Sequence, residues 1–408
     1  MTWRATRPPT PLLLAMDAAP AVAVQGAPSI TSLGEAERRD MDVALYLSAV
    51  KRDPASAHFH AQLAMQYLQR GRERASASDI ERAEAEARAS LVRRTQNNGA
   101  AFATLVEALM EQHKFVEAGK AARQLVAGDP TQPSYQSMLG EVELELGNYN
   151  AAARAFALVG SQRKSLAVTT RLARLAEIRG DTSRAHALLS RAAAEANQDG
   201  TMPSEQGAWF QLRVGDYELR HGALEAAEKA ITHGLSIAPA DHRLLSAMAR
   251  LRAAQHNWSS TIDFGNQAIA MVLDPAMLGL VGDAYAAMGD SAKAVEYFKT
   301  MEVAVPREAG AYHRAWSFYL LDHGLRIADV RANVTAELRT RHDIYGHDLL
   351  GWALYKSGRF AHARVEMQRA MAQGTQDATL FFSRRHGGTC AGQFRGCYAA
   401  SGEGADRE

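Results

Sequence analysis

Fourteen histidines, two cysteines and forty-five carboxylates are the groups in this 408-residue chain that could hold a metal, attack a carbonyl or move protons. Their spacing argues against each use. His58 and His60 fall on different faces of a helix, and His342 and His347, five apart, are also badly placed to share an ion. Cys390 and Cys397 are the only cysteines, and their separation matches no strong zinc or redox pattern. No phosphate-cradling glycine loop, Gly-x-Ser-x-Gly elbow or zinc-protease helix occurs. The carboxylates read as the solvated faces of helices. Asn257-Trp258-Ser259 and Asn333-Val334-Thr335 match the glycosylation sequon, but both fall in helical or turn sequence and are discounted. A non-catalytic chain with no metal or cofactor is therefore expected.

What organises the sequence is a repeat. From Leu278 to Pro306 it reads Leu278, Val281-Gly282, Tyr285, Gly289-Asp290, Ala294, Phe298 and Pro306, and this skeleton returns about every 34 residues. With Gly282 at position 8, the same position holds Ala64, Val106, Gly140, Ala173, Gly215, Ala249, Ser317 and Gly351. Position 15 is glycine in seven of these nine repeats: Gly71, Gly147, Gly180, Gly222, Gly289, Gly324 and Gly358. Position 20 holds Ala118, Ala152, Ala185, Ala227, Ala294 and Ala363.

Each position has a physical task. Small residues at 8 and 20 let two helices approach, and larger ones such as Phe102, Leu139, Tyr285 and Phe298 fill the space beside them. Glycine at 15 ends the first helix, because it enters the left-handed conformation at little cost. Asp or Asn after it, as in Gly289-Asp290 and Gly147-Asn148, suits a tight turn and caps the next helix. Pro130, Pro239 and Pro306 block continuation of the second helix, with Pro275 slightly late. The spacing predicts helix, turn and antiparallel helix, repeated.

This pattern resembles the tetratricopeptide repeat, over about four-fifths of the chain. The resemblance implies an all-α fold: a right-handed superhelical solenoid of antiparallel helix pairs, with about nine repeats. Asp343-Ile344-Tyr345-Gly346 followed by Leu349-Leu350-Gly351-Trp352-Ala353-Leu354-Tyr355 looks like bacterial tetratricopeptide proteins of unassigned function.

The composition agrees, with 47% apolar residues and helical spacing throughout. Each repeat of a solenoid buries its apolar face only against its neighbours, so one elongated domain is expected over residues 57–382. A capping helix is expected over residues 35–56, running from about Glu35 to Lys51. Two repeats are long: Ala64 to Val106 and Ala173 to Gly215 each span 42 residues. The first excess, Arg72 to Ile80, reads as an extended helix or a polar loop, with Ser78 or Asp79 capping the restart. The second, Asn197 to Gly207, reads as a loop around Gly200 and Pro203, with Ser204 capping the next helix.

The ends differ from the middle. Over residues 1–34, Arg4 and Arg7 precede the run Leu12 to Met16, and Ala21-Val22-Ala23 resembles a cleavage site. That is the outline of an export signal, but the run is short and Asp17 interrupts it, so a disordered start is the competing reading. The location stays open between cytoplasm and export. After Phe382 the pattern collapses into the glycine- and arginine-rich tail 383–408. This tail is either irregular or a tenth repeat broken by a one-base frame slip at the Ser383 codon. The slip would place glycine at Arg385, 34 residues after Gly351, and would turn both cysteines into Ala or Val.

By the resemblance, the first helices of successive repeats line a concave groove, with positions 2, 5, 9, 12 and 13 pointing into it. Position 9 then supplies Glu107, Glu141, Arg174, Asp216, Arg250, Asp283, Phe318 and Trp352. Glu111 and Glu145 add acidity to the N-terminal half, and Arg243 joins Arg250 in the middle. Tyr345, Trp352 and Tyr355 form an aromatic end, with Trp209 further back. Such a surface suits an extended peptide. The Lys and Asn with which some family members clamp a terminal carboxylate are replaced here by Ala, Glu, Ser and Thr. With a net charge of +1 and no apolar run of about 20 residues, neither nucleic acid nor a membrane span is expected. The chain is expected to be an interaction scaffold for a peptide or protein partner. The alternative is a regulatory or accessory module of a separate enzyme or secretion complex.

Overall fold

Periodic apolar residues between regularly spaced stop signals should give short helices and tight turns. The computed structural model describes residues 34–159, 165–304, 314–377 and 380. The signal-like segment, Pro306, and the tail with Arg385, Cys390 and Cys397 lie outside the described residues.

Among the described residues there are nineteen helices and no strand. Helix α1 (Glu35–Arg52) precedes nine hairpins. The first four are α2 (Ala57–Arg74) with α3 (Ala77–Arg93), α4 (Gly99–Glu111) with α5 (Phe115–Gly128), α6 (Pro133–Glu145) with α7 (Tyr149–Leu158), and α8 (Leu166–Ile178) with α9 (Thr182–Gln198). The next three are α10 (Ser204–Arg220) with α11 (Leu224–Ile237), α12 (His242–Ala254) with α13 (Trp258–Met271), and α14 (Pro275–Ala287) with α15 (Ser291–Ala304). The last two are α16 (Arg314–Asp322) with α17 (Ile327–Glu337), and α18 (Ile344–Lys356) with α19 (Phe360–Met371).

Within a hairpin the contact is between position 8 and position 24. A Cβ added at Gly140 would stand 2.6 Å from Phe156, at Gly215 2.6 Å from Ile231, at Gly282 2.5 Å from Phe298 and at Gly351 2.8 Å from Met367. Glycine there lets a bulky residue of the second helix reach the first helix's backbone. Ile231 is wholly buried in this way, which contributes about 1.5–3 kcal/mol.

Position 15 is left-handed in every repeat from the second to the ninth. Six are glycines, from Gly147 (φ 81°) to Gly358 (φ 70°), and two are His113 and His256 (each φ 57°). The first repeat departs. Gly71 lies inside α2, where it makes room for Ile80, and Ala75 (φ 51°) makes the turn. Its cap is Ser76, ahead of the expected Ser78 or Asp79, and accepts the Asp79 amide at 3.3 Å. The eight extra residues are mostly helix: α2 has 18 residues and α3 has 17, against 13 and 14 in α4 and α5.

The second insertion is resolved in the same way. Helices α9 and α10 have 17 residues each, so only residues 199–203 remain as loop. Pro203, not Ser204, stands at the helix boundary, and the Ser204 amide instead donates to Glu35 at 3.3 Å. Asp290 caps α15 by accepting the Lys293 amide at 3.1 Å. The Asn148 side chain does not cap α7; its Nδ2 donates to the Glu143 carboxyl at 2.7 Å instead. Pro275 is the first residue of α14, where its missing N–H costs nothing.

The stacked hairpins curve until the last meets the third and fourth. The His342 amide donates to the Leu146 carbonyl at 2.8 Å, and Arg341 donates to the Glu145 carbonyl at 2.9 Å. Arg341 also lies 4.6 Å over the Phe115 ring. Ile344 and Leu380 share one apolar cluster with Leu144, Phe156 and Ile178. The turn glycines Gly147 and Gly180 touch the backbones of His342 and Gly374, where a side chain could not fit.

Candidate functional site

First helices α6, α8, α10 and α18 line one interior pocket, and charged residues of the first helices pair along the stack. Arg72 of α2 meets Glu107 of α4 at 3.0 Å. Arg171 of α8 meets Glu141 of α6 at 2.6 Å, Arg220 of α10 meets Glu177 of α8 at 2.6 Å, and Arg250 of α12 meets Asp216 of α10 at 2.9 Å. Arg314 of α16 donates to Asp348 of α18 at 2.5 Å. Such pairs fix how one repeat sits on the next. Burial raises Glu107 above the usual carboxylate range despite Arg72, and pushes Asp348 up to about 7 despite Arg314.

The candidate groove residues therefore separate. Glu107 and Glu141 are buried in pairs, while Arg250 keeps 44% of its side chain exposed. Arg243 is half-buried and bridges Asp241 at 2.5 Å and Glu205 at 2.8 Å. Asp283 is half-buried on α14, apart from the others. Trp352 does not line a groove. It is 5% exposed, donates to Asp322 at 2.9 Å and stacks on Tyr355, because its helix turns that side into the last core cluster. The expected aromatic end is thus divided: Trp352 packs inward and Tyr345 faces the interior.

Arg174, Glu141, Trp209 and Tyr345 come together in a pocket of about 370 Å³. Residues at positions 2, 5, 9, 12 and 13 make most of its wall. The exceptions are Arg171 and Arg213 at position 6, and Asp377 beyond α19. Position 6 elsewhere is Gln62, Thr104, Met138, Ala247, Leu280, Ala315 or Leu349, so a charge at that position is the available signal for these two arginines.

The pocket joins the third to fifth hairpins to the last one. Arg174 donates to the Tyr345 hydroxyl at 2.8 Å, and that hydroxyl donates to Asp377 at 3.2 Å. Glu177 accepts from Arg174 at 3.3 Å and from Arg220 at 2.6 Å. Burial opposes the Glu177 charge, but Arg220, Arg174 and Arg213 outweigh it and hold the carboxyl at about 2. Arg213 differs from its neighbours. Burial, then Arg220 and Arg174, lowers its affinity for its proton. Such a wall of guanidinium and aromatic groups suits recognition of polar or charged groups. Among the described residues no cluster of three or more metal-ligating side chains occurs, and no helix is long and apolar enough to cross a membrane.

The family model described as tetratricopeptide repeat matches residues 275–300, which cover α14 and most of α15. Within this chain, residues 275–300 are therefore a tetratricopeptide repeat. No curated protein matches it by sequence. Among solved structures it is similar to a chain of the APC/C hetero-tetramer Cut9–Hcn1, with 16% identity over 61% of this chain and TM-score 0.49. The match spans 46% of that chain, less than half its length. It is also similar to a tetratricopeptide repeat protein from Parabacteroides merdae ATCC 43184, with 14% identity, 65% of this chain and 93% of that one covered, and TM-score 0.45. The human IFIT1 dimer with PPP-AAAA shows 14% identity over 84% of this chain and 96% of its own, with TM-score 0.45.

Proposed function

We propose that this chain is a non-catalytic scaffold that holds a peptide or protein partner on the interior face of the spiral. The observation that carries this reading is the pocket, where side chains from successive first helices converge on one concave wall. Trp209 and Tyr345 are half-buried amphipathic rings, the kind of residue that contributes most per contact in protein recognition. Arg250 adds an exposed guanidinium nearby in sequence on α12. Among the described residues most other interior charges are paired with one another, as Arg72 is with Glu107 and Arg171 with Glu141, so partner choice rests on a few groups.

The test is affinity capture from the source cell with wild type, Arg250→Glu, Trp209→Ala and a control at Val92, which is 80% exposed on α3. The reading expects a partner captured by wild type and Val92→Ser and lost with both interior variants. Undiminished capture by Arg250→Glu and Trp209→Ala would remove it.

A further inference from the structure

Four arginines line the interior pocket, and three are matched. Arg171 has Glu141 and Ser137 at 2.6 and 3.2 Å. Arg174 has Glu177 and the Tyr345 hydroxyl. Arg220 has Glu177 at 2.6 Å and Asp377 at 3.7 Å. Arg213 has no hydrogen bond or ion pair among the described residues, and its nearest partner is the Trp209 ring, 6.0 Å from the guanidinium carbon. At the inner end of the pocket, Arg174, Arg213 and Arg220 lie among Glu145, Glu177, Asp216 and Asp377, and of the three only Arg213 makes no direct carboxylate contact among the described residues. Of the other pocket carboxylates, Glu141 is held by Arg171, and Glu145 lies 3.5 Å from Arg341, which also has Asp343 at 3.0 Å and Glu337 at 3.2 Å.

Arg213 is only half-buried, so its N–H donors stay reachable within the pocket, and a negative group placed beside them would be held by charge-assisted hydrogen bonds. We propose that the pocket is an oxyanion site in which the Arg213 guanidinium receives a phosphate or carboxylate group. The planar fork of Arg213 can give two parallel N–H donors to such a group. Trp209 forms one wall beside it, and the 370 Å³ volume leaves room for the remainder of the molecule that carries the anion. This goes beyond the scaffold reading, because the anion is taken whether or not a protein lies in the interior.

The depressed proton affinity of Arg213 is consistent with a position whose charge is costly in the empty pocket. The full chain is titrated with inorganic phosphate and, separately, with acetate, at fixed ionic strength against chloride. Binding is read by calorimetry and by tryptophan emission. The expected result is a saturable response to at least one anion, with an emission change absent in Trp209→Phe. That response is lost in Arg213→Gln and kept in Arg88→Gln, a control on the exposed side of α3. Saturation at lower concentration by phosphate or by acetate assigns the group. Arg213→Lys, which keeps the charge but not the fork, covers the case of a poorly folded Gln variant and should weaken the response. No saturable response to either anion, or a response unchanged in Arg213→Gln and Arg213→Lys, overturns the proposal. These outcomes are independent of the capture experiment.

Discussion

The Ile344 amide donates to the Tyr149 hydroxyl at 2.8 Å although the two residues are 195 apart in the chain. The bond is buried, and Ile344 itself is 1% exposed in the cluster that includes Phe156 and Leu380. Closure of the spiral is therefore a packed contact as well as a polar one.

Ile344→Ala should cost about 2–5 kcal/mol in chemical denaturation, the range for a truncated core aliphatic. Because the lost contact joins distant repeats, small-angle scattering should also show a larger radius of gyration. A variant with unchanged stability and size would contradict the contact.

Two turn glycines separate conformational strain from contact. Gly222 (φ 78°) has nothing within 4 Å of an added Cβ, so Gly222→Ala should cost only the left-handed penalty, about 1–2 kcal/mol. Gly147 (φ 81°) meets the His342 backbone. Gly147→Ala should therefore cost more and should expand the chain as Ile344→Ala does. Equal losses in thermal melts of the two variants would speak against the backbone contact.

Some of these features are written in local sequence spacing and others are not. Hairpin packing was readable because position 8 and position 24 are set by local spacing, as Gly282 and Phe298 show. The turns at His113 and His256 were hidden, since their residue type does not announce a left-handed conformation. Closure was hidden for another reason. It depends on small rotations summed over all repeats, including two with lengthened helices, and no local pattern encodes that sum. Arg213 escaped because position 6 is not among the groove positions of the resemblance. Trp352 leaves the groove because position 9 turns toward the core in the last two repeats, where Phe318 and Trp352 share one apolar cluster.

The Gly282–Phe298 contact can be tested alone. Gly282→Ala puts a Cβ 2.5 Å from the ring, an overpacking expected to cost about 1–3 kcal/mol. Adding Phe298→Leu should recover part of that loss, giving a favourable coupling energy in a double-mutant cycle. Strict additivity would show that the two residues do not meet.

Asp348 and Glu177 give stability opposite pH slopes. The folded Asp348 carboxyl titrates at about 7 against an ordinary 3.8, because burial outweighs Arg314. Between those values the folded chain holds a proton that the unfolded chain has released, so this contribution falls as pH rises. Glu177, held at about 2 against 4.5, contributes stability above its ordinary value that is lost as pH falls toward 2. Urea melts at about pH 5 and about pH 8 should show a decline in wild type that is smaller in Asp348→Asn. An identical decline in both proteins would exclude Asp348 as the cause.

The central claim is that a partner lies against the interior wall. The most direct measurement is photo-cross-linking in the source cell, with a benzophenone amino acid placed at Trp209 inside the pocket or at Val92 on the exposed side of α3. The account predicts a discrete adduct from the Trp209 position that disappears when Arg250→Glu is added, and none of that mass from Val92. The same adducts from both positions, insensitive to Arg250→Glu, would contradict it.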